Sequence, residues 1–179
     1  MKYNIDFPDG FFDEEVRSGF LVDSNKKKIW ACLLDLYSEL RRVCDKYGIV
    51  IYAGGGTLLG TIRHGGFIPW DDDFDVSISR EGFEKLCEVA NKEFKDPYFF
   101  QYALSDRAYF KGIARFRRTD TTGIITFMSD YVYNNGIFVD IYIYDKAPTD
   151  EKELKKCLRR IDFYSKSLWT YVNTLDTKS

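Results

Sequence analysis

The sequence predicts an α/β domain of the α+β kind, and three observations carry that expectation. Long stretches repeat apolar residues every three or four positions. Several short runs rich in aromatic and β-branched residues lie between them, and glycine, proline and aspartate clusters punctuate the boundaries. In chain order, residues 1–22 read as an irregular N-terminal extension, with Phe7, Phe11, Phe12 and Phe20 as anchors onto the body. From Ser24 to Tyr47, Ile29, Leu33, Leu36, Leu40, Val43 and Cys44 share one helical face. Asp23 or Ser24 starts that helix and Gly48 ends it. Ile49 to Ala53 reads as a short buried strand, turned by Gly54, Gly55 and Gly56 into a brief helical segment from Thr57 to Ile62. Phe74 to Ser79 is a second strand, and Ser79 then caps a helix carrying Phe83, Leu86, Cys87, Ala90 and Phe94. Further strands are expected at Tyr98–Tyr102, Tyr109–Arg117 and Ile137–Tyr144. A last amphipathic helix runs from about Asp150, with Leu154, Cys157, Leu158, Ile161, Leu168, Tyr171 and Leu175 in one stripe.

A chain of 179 residues is expected to form one domain, 1–179, with a real core. The 26 basic and 28 acidic residues nearly balance, so no basic stripe points to nucleic acid as a partner. The aromatic content of 17% fits either core packing or a glycan-binding surface, with packing the default. No apolar run approaches the roughly 20 residues of a membrane span, and the N-terminus has no signal-peptide core. Cys32 and Cys44 share a predicted helix at a separation of roughly 18 Å, too far to bridge. Reduced thiols and a cytoplasmic location are therefore expected.

Function is concentrated in residues 53 to 76, AGGGTLLGTIRHGGFIPWDDDFDV. Four aspartates occupy five positions: Asp71, Asp72, Asp73 and Asp75. Two carboxylates ~4 Å apart repel by about 1 kcal/mol in water and by several times that at a protein surface. A divalent cation relieves such repulsion. Oxygen ligands without His or Cys favour magnesium, calcium or manganese over zinc. Three familiar motifs fail on single residues. Thr61 stands where a Walker A lysine belongs, and Leu59 where a dinucleotide fingerprint needs its third glycine. Val76 and Gly82 replace the obligatory glycine and glutamate of an EF-hand loop.

What remains is a glycine turn, a helix start and an Asp-Phe-Asp strand. Residues i and i+2 of a strand share a face, so Asp73 and Asp75 are expected to point into one space. Free amides around Gly56 and Thr57, at a helix N-terminus, favour phosphate oxygens. Asp140 interrupts the apolar run Ile137–Ile143, where a lone charge is expensive, and beside Asp73 and Asp75 it completes a three-carboxylate cradle. Lys111 and Arg115 alternate onto one strand face and are expected to meet a diphosphate. The bland readings stand beside these. The aspartates also suit a solvated turn, and Asp140 a strand end. Arg63 and His64 also suit loop hydrogen bonds, Arg115, Arg117 and Arg118 a solvated face, and Trp70 packing rather than base stacking.

The run GGTLLGTIRHGGFIPWDDDFDV (55–76) closely resembles the hallmark of the LicD family of phosphocholine transferases, which is similar to the fukutin and fukutin-related group. KKIWACLLDLYSELRRVCDKYGI (27–49), KGIARFRRTDTTG (111–123) and GIFVDIYIYD (136–145) extend the resemblance. It implies a nucleotidyltransferase-like fold, a small mixed sheet flanked by helices. It also implies phosphate binding at Gly55, Gly56 and Thr57, and metal at Asp73, Asp75 and Asp140, with Asp71 at a further acidic position that either binds the metal or orients the loop. The implied cofactor is Mg2+ or Mn2+. The implied reaction moves a phospho-substituent, phosphocholine or a phospho-alditol, from a CDP-linked donor to a hydroxyl of a glycan or lipid-linked glycan, releasing CMP. Arg63, His64, Trp70, Lys111 and Arg115 are then candidate substrate contacts. Peripheral membrane association remains open. Here Tyr142-Ile143-Tyr144 replaces the family's usual Phe-Pro-Leu, and family members usually continue well beyond the 150–179 helix. The competing readings are an Asp-x-Asp glycosyltransferase using a nucleotide sugar, and a nucleotide-binding module without turnover.

Overall fold

A computed structural model describes residues 2–106, 109–124 and 133–174. A 24-residue helix, α1 (Ser24–Tyr47), starts where Asp23 accepts a hydrogen bond from the Lys26 amide at 2.8 Å. It stops at Gly48, whose left-handed conformation (φ 65°) closes its C-terminus. Its apolar face packs on one side of a five-stranded sheet. The strands are β3 (Tyr52–Ala53), β4 (Asp75–Ser79), β5 (Tyr98–Gln101), β6 (Ala114–Arg118) and β7 (Ile137–Tyr144), in the order β3-β4-β7-β6-β5. The sheet is mixed: β4 and β7 run parallel and every other pair antiparallel. A second helix, α3 (Arg80–Glu93), capped by Ser79 through the Gly82 amide at 3.1 Å, covers the same face.

The core between them holds Leu33, Leu36, Leu40 and Val43 of α1, Leu86 and Ala90 of α3, and Val76, Ile78, Phe116, Val139 and Ile141 of the sheet. Side chains alternate across a strand. Asp75, Ser77, Arg115, Arg117, Asp140 and Tyr142 therefore occupy the opposite face.

Three boundaries differ from expectation. The strand expected at Ile49–Ala53 shrinks to an exposed two-residue edge, because the Ile49 amide turns back to the Cys44 carbonyl at 2.8 Å and continues the helix cap. The strand expected from Tyr109 starts only at Ala114, since the Tyr109 hydroxyl donates to the Ile113 carbonyl at 3.1 Å in a local loop. The supposedly irregular N-terminus contains a hairpin, β1 (Glu15–Arg17) and β2 (Phe20–Val22). Its two-residue turn has positive φ at Ser18 (51°) and Gly19 (76°), the backbone that tight hairpins require. The aromatic anchors do cluster: Phe7 meets Tyr3, Phe11 and Phe12, with ring centres 4.6–5.5 Å apart.

The short helix α2 (Gly55–His64) follows the glycine turn and lies against β4. The final helix α4 (Glu151–Thr174) has the expected stripe, but Leu158, Ile161, Leu168 and Tyr171 are exposed. Leu175, expected in that stripe, lies outside the described residues. Among the described residues, no helix is long and apolar enough to cross a membrane.

Candidate active site

The site is built around the start of β4. The Gly54 amide donates to the Asp75 carbonyl at 3.0 Å, and the Asp75 amide donates to the Thr57 hydroxyl at 2.8 Å. These two bonds clamp the glycine turn onto the strand, so the Asp75 carboxylate faces the first turn of α2. Gly55 has φ 44°, and a Cβ there would collide with Asp75 Oδ2. A Cβ on Gly56 would come within 2.7 Å of Asp71 Oδ2 and 3.8 Å of Asp73 Oδ1. The left-handed backbone favours glycine at Gly55, and a side chain at Gly56 would have to displace the Asp71 carboxylate. Three aspartates of the loop thus converge on the N-terminus of α2. Asp73 precedes β4, yet its carboxylate shares the space of Asp75, as the alternation predicts.

Asp140 joins from the neighbouring strand. It is the direct partner of Asp75 in the parallel β4–β7 register, and of Arg115 in the antiparallel β6–β7 register. Arg115 is 3% exposed and donates from Nε to Asp140 Oδ1 at 2.7 Å. Its guanidinium also lies 3.7 Å from the centre of the Phe138 ring. The three arginines of β6 are all buried, so none forms a solvated face. Arg117 reaches Gln101 Oε1 and the Gly136 carbonyl, both at 2.5 Å. Arg118, on the other face, pairs with Asp35 of α1.

The electrostatics match this crowding. Burial first, then the charges of Asp71 and Asp75, push the Asp73 carboxyl from 3.8 up to about 6. Asp75 is raised by burial, then by Asp140 and Asp71, against the lowering influence of the Gly56 amide. Tyr142, next to Asp140 on the same face of β7, is raised by burial and then by Asp75, Asp140 and Asp73.

Other candidates lie elsewhere. Arg63 and His64 sit at the far end of α2, roughly 12 Å along its axis from Gly55. Arg63 Nε donates to His64 Nε2 at 2.9 Å, and the imidazole meets Trp70 edge-on at 5.8 Å. Trp70 is 52% exposed and touches Phe20 of the hairpin, a contact that straps the N-terminus to the acidic loop. Lys111 precedes β6 instead of lying on it, and lines a cavity beside α3. Among the described residues, no group of three or more His, Cys, Asp or Glu side chains forms a ready-made metal site.

Residues 48–173 match the family described as LicD/FKTN/FKRP, nucleotidyltransferase domain. The chain belongs to the LicD family. It is 32% identical over 133 residues to the lipopolysaccharide cholinephosphotransferase LicD of Haemophilus influenzae, covering 71% of this chain and 47% of that relative. It is also 30% identical over 136 residues to an uncharacterised protein of Rickettsia prowazekii, 76% of this chain and 46% of the relative. The chain thus spans about half the length of these curated relatives.

Within this LicD domain, Ser77 is a site-face residue that motif reading missed. Its hydroxyl is buried without a hydrogen-bond partner among the described residues, and a Cβ on Gly54 would lie 3.2 Å from it. Its place two residues after Asp75 was the available signal. Trp30 was also missed: its indole donates to the Asp71 carbonyl at 2.9 Å and ties the acidic loop to α1.

Proposed function

We propose that this domain transfers a phospho-substituent, phosphocholine or a phospho-alditol, from a CDP-linked donor to a hydroxyl of a surface-glycan precursor, releasing CMP. The observation that carries the reading is the convergence of Asp71, Asp73 and Asp75 on the first turn of α2, with the Arg115-braced Asp140 beside Asp75 on the next strand. A helix N-terminus with glycines at its start suits phosphate oxygens. The carboxylates suit a hard divalent ion, Mg2+ or Mn2+, and their mutual repulsion gives that ion something to relieve. Asp73, Asp75 and Asp140 would hold it, with Asp71 orienting the loop.

That the described residues form no ready-made cage is compatible with magnesium, which uses few protein ligands and relies on substrate phosphates for the rest. Bound there, the metal supplies charge neutralisation on the diphosphate during an in-line displacement. The amides of Gly55 and Gly56 would bind phosphate oxygens, while Thr57 positions the turn through Asp75. Arg115 fixes one oxygen of Asp140 and leaves the other free. The acceptor oxygen attacks the phosphorus distal to the nucleoside, the bond to the CMP oxygen breaks, and Asp140 takes the hydroxyl proton. Nucleotide-activated donors are cytoplasmic metabolites, so this reading locates the reaction there, on a soluble or lipid-linked glycan.

Thermal unfolding with and without ligands tests it. Magnesium alone should shift the midpoint little, and CDP with magnesium substantially. At 100 times the dissociation constant, linkage gives about 2.7 kcal/mol. A large calcium shift indifferent to nucleotide would point to a structural ion instead.

A further inference from the structure

A cavity of about 390 Å³ lies between α1 and α2, behind the acidic loop. Its volume is in the ordinary range for a small-molecule site. Lys27, Trp30, Leu34 and Tyr37 line it from successive turns of α1, and Thr57 and Thr61 from one face of α2. Phe67 and Phe74 form its inner wall. Their rings meet at 5.8 Å, and Phe67 stacks on Trp30 at 4.8 Å. Phe74 lies between Asp73 and Asp75 but belongs to the core, so the cavity sits behind the carboxylates and not among them.

The polar groups along its wall are already engaged. The Thr57 hydroxyl accepts from the Asp75 amide and the Thr61 hydroxyl donates to the Thr57 carbonyl, both at 2.8 Å. The Gly65 and Gly66 amides both donate to the Gly60 carbonyl, and Tyr37 is hydrogen-bonded to Arg41. A sugar or nucleobase placed here would bury its own polar groups without partners, whereas a hydrocarbon chain has none to strand. The rim is different. Among the described residues, Arg17 and Lys27 line the cavity and no acidic side chain does. Both pair with Glu15, Arg17 through Nε at 2.9 Å, so two cations share one carboxylate. Lys27 is buried, its ammonium 5.4 Å from the centre of the Phe11 ring, and Arg17 is the more exposed of the two. One positive charge is therefore left over at the edge of an apolar wall.

We propose that this cavity binds a free single-chain amphiphile with an anionic head, a long-chain carboxylate, its tail between α1 and α2 and its head on Arg17. The tail removes apolar surface from water against Trp30, Phe67 and Phe74. The head balances the charge that Glu15 leaves over. This site is separate from the carboxylate site and needs neither metal nor nucleotide, so it stands or falls apart from the transferase reading.

Titration calorimetry on the full chain tests it with decanoate, octanoate, decanol and acetate, each kept below micelle-forming concentrations. Decanoate should saturate one site and bind roughly tenfold more tightly than octanoate, as burial of two further methylenes requires. Decanol should bind more weakly than decanoate, and acetate not at all. Arg17→Met should weaken decanoate about tenfold, the loss expected for a charged hydrogen bond, and leave decanol unchanged. Arg17→Lys should retain most of the binding. Thr61→Trp, at an exposed helix position, should block the cavity while the protein stays folded. Hydrogen exchange locates the ligand: decanoate should slow the amides of α2 and residues 65–67. No saturable binding of decanoate, decanol binding as tightly, or full decanoate binding by Arg17→Met or Thr61→Trp would overturn the proposal. So would protection confined to the exposed stripe of α4 or to the cavity beside α3.

Discussion

Asp75 and Asp140 are direct neighbours across the parallel β4–β7 pair, and Arg115 sits on the far side of Asp140 in the same row. One guanidinium thus braces one of two adjacent carboxylates, while the other has only the Gly56 amide to offset its charge among the influences on its titration. Nearby, Asp71 and Asp73 add like charge at the start of α2. The Gly54 and Asp75 amides hold the glycine turn against the strand at this crowded site.

Removing the brace should therefore be expensive. Arg115→Met leaves Asp140 half-buried and unpaired beside Asp75, and breaking such a pair typically costs about 3 kcal/mol or more. Adding Asp140→Asn to that variant should restore much of the loss. Urea unfolding of the two single variants and the double variant measures the coupling. A loss below about 1 kcal/mol for Arg115→Met would show that the pair is solvent-screened.

Asp73 makes the ligand-free protein sensitive to pH. Its value rises from 3.8 to about 6 on folding, so the folded chain holds that proton more tightly than the unfolded one. Its contribution is fully present below 3.8 and is lost as pH climbs towards about 6. Asp73→Asn should flatten that fall and be the more stable protein at pH 7 without ligand. Magnesium with CDP should reverse the ranking. Melting midpoints between pH 4 and 7 check both statements, and parallel curves for the two proteins would contradict them.

The carboxylate constellation was legible because its parts are local: a glycine turn, an i, i+2 aspartate pair, and one charge in an apolar strand. The mixed α/β class and the caps at Asp23, Gly48 and Ser79 were legible for the same reason. What escaped depends on register between distant segments. Nothing near Arg115 signals that it will oppose Asp140, and Arg118 meets Asp35 across 83 positions of sequence. Lys111 looked like a strand residue because the alternation continues past the point where Tyr109 folds the loop back. The Ser18-Gly19 dipeptide was a readable hairpin signal, hidden by the weak apolar alternation on either side.

Asp35 should prove to be the structural counterpart of Asp140. It is fully buried, pairs with Arg118, and accepts from the Tyr98 hydroxyl at 2.7 Å and the Asn4 amide at 2.6 Å. Asp35→Ala strands the Arg118 charge and should destabilise by about 3–5 kcal/mol. Proteolysis should then cut first within the released residues 2–12. A fully stable Asp35→Ala protein would contradict the buried-pair account.

The thiols should divide into two classes. Burial pushes Cys32 and Cys44 up to about 12, while Cys87 and Cys157 are half-buried. A thiol reagent at pH 8 should therefore modify Cys87 and Cys157 in the native protein, and Cys32 and Cys44 only after denaturant. Mass spectrometry of the labelled peptides distinguishes them, and native labelling of Cys32 would show that α1 opens.

The identity of the released nucleotide tests the central claim most directly. A phosphotransferase breaks the bond between the two phosphates of a cytidine donor. A glycosyltransferase instead attacks an anomeric carbon and releases an intact nucleoside diphosphate. Slow transfer to water suffices, so the acceptor need not be known. Magnesium-dependent release of CMP from CDP-choline or a CDP-alditol is expected, abolished in a folded Asp75→Asn protein. UDP or GDP from a sugar nucleotide, with no CMP from any cytidine donor, would contradict it.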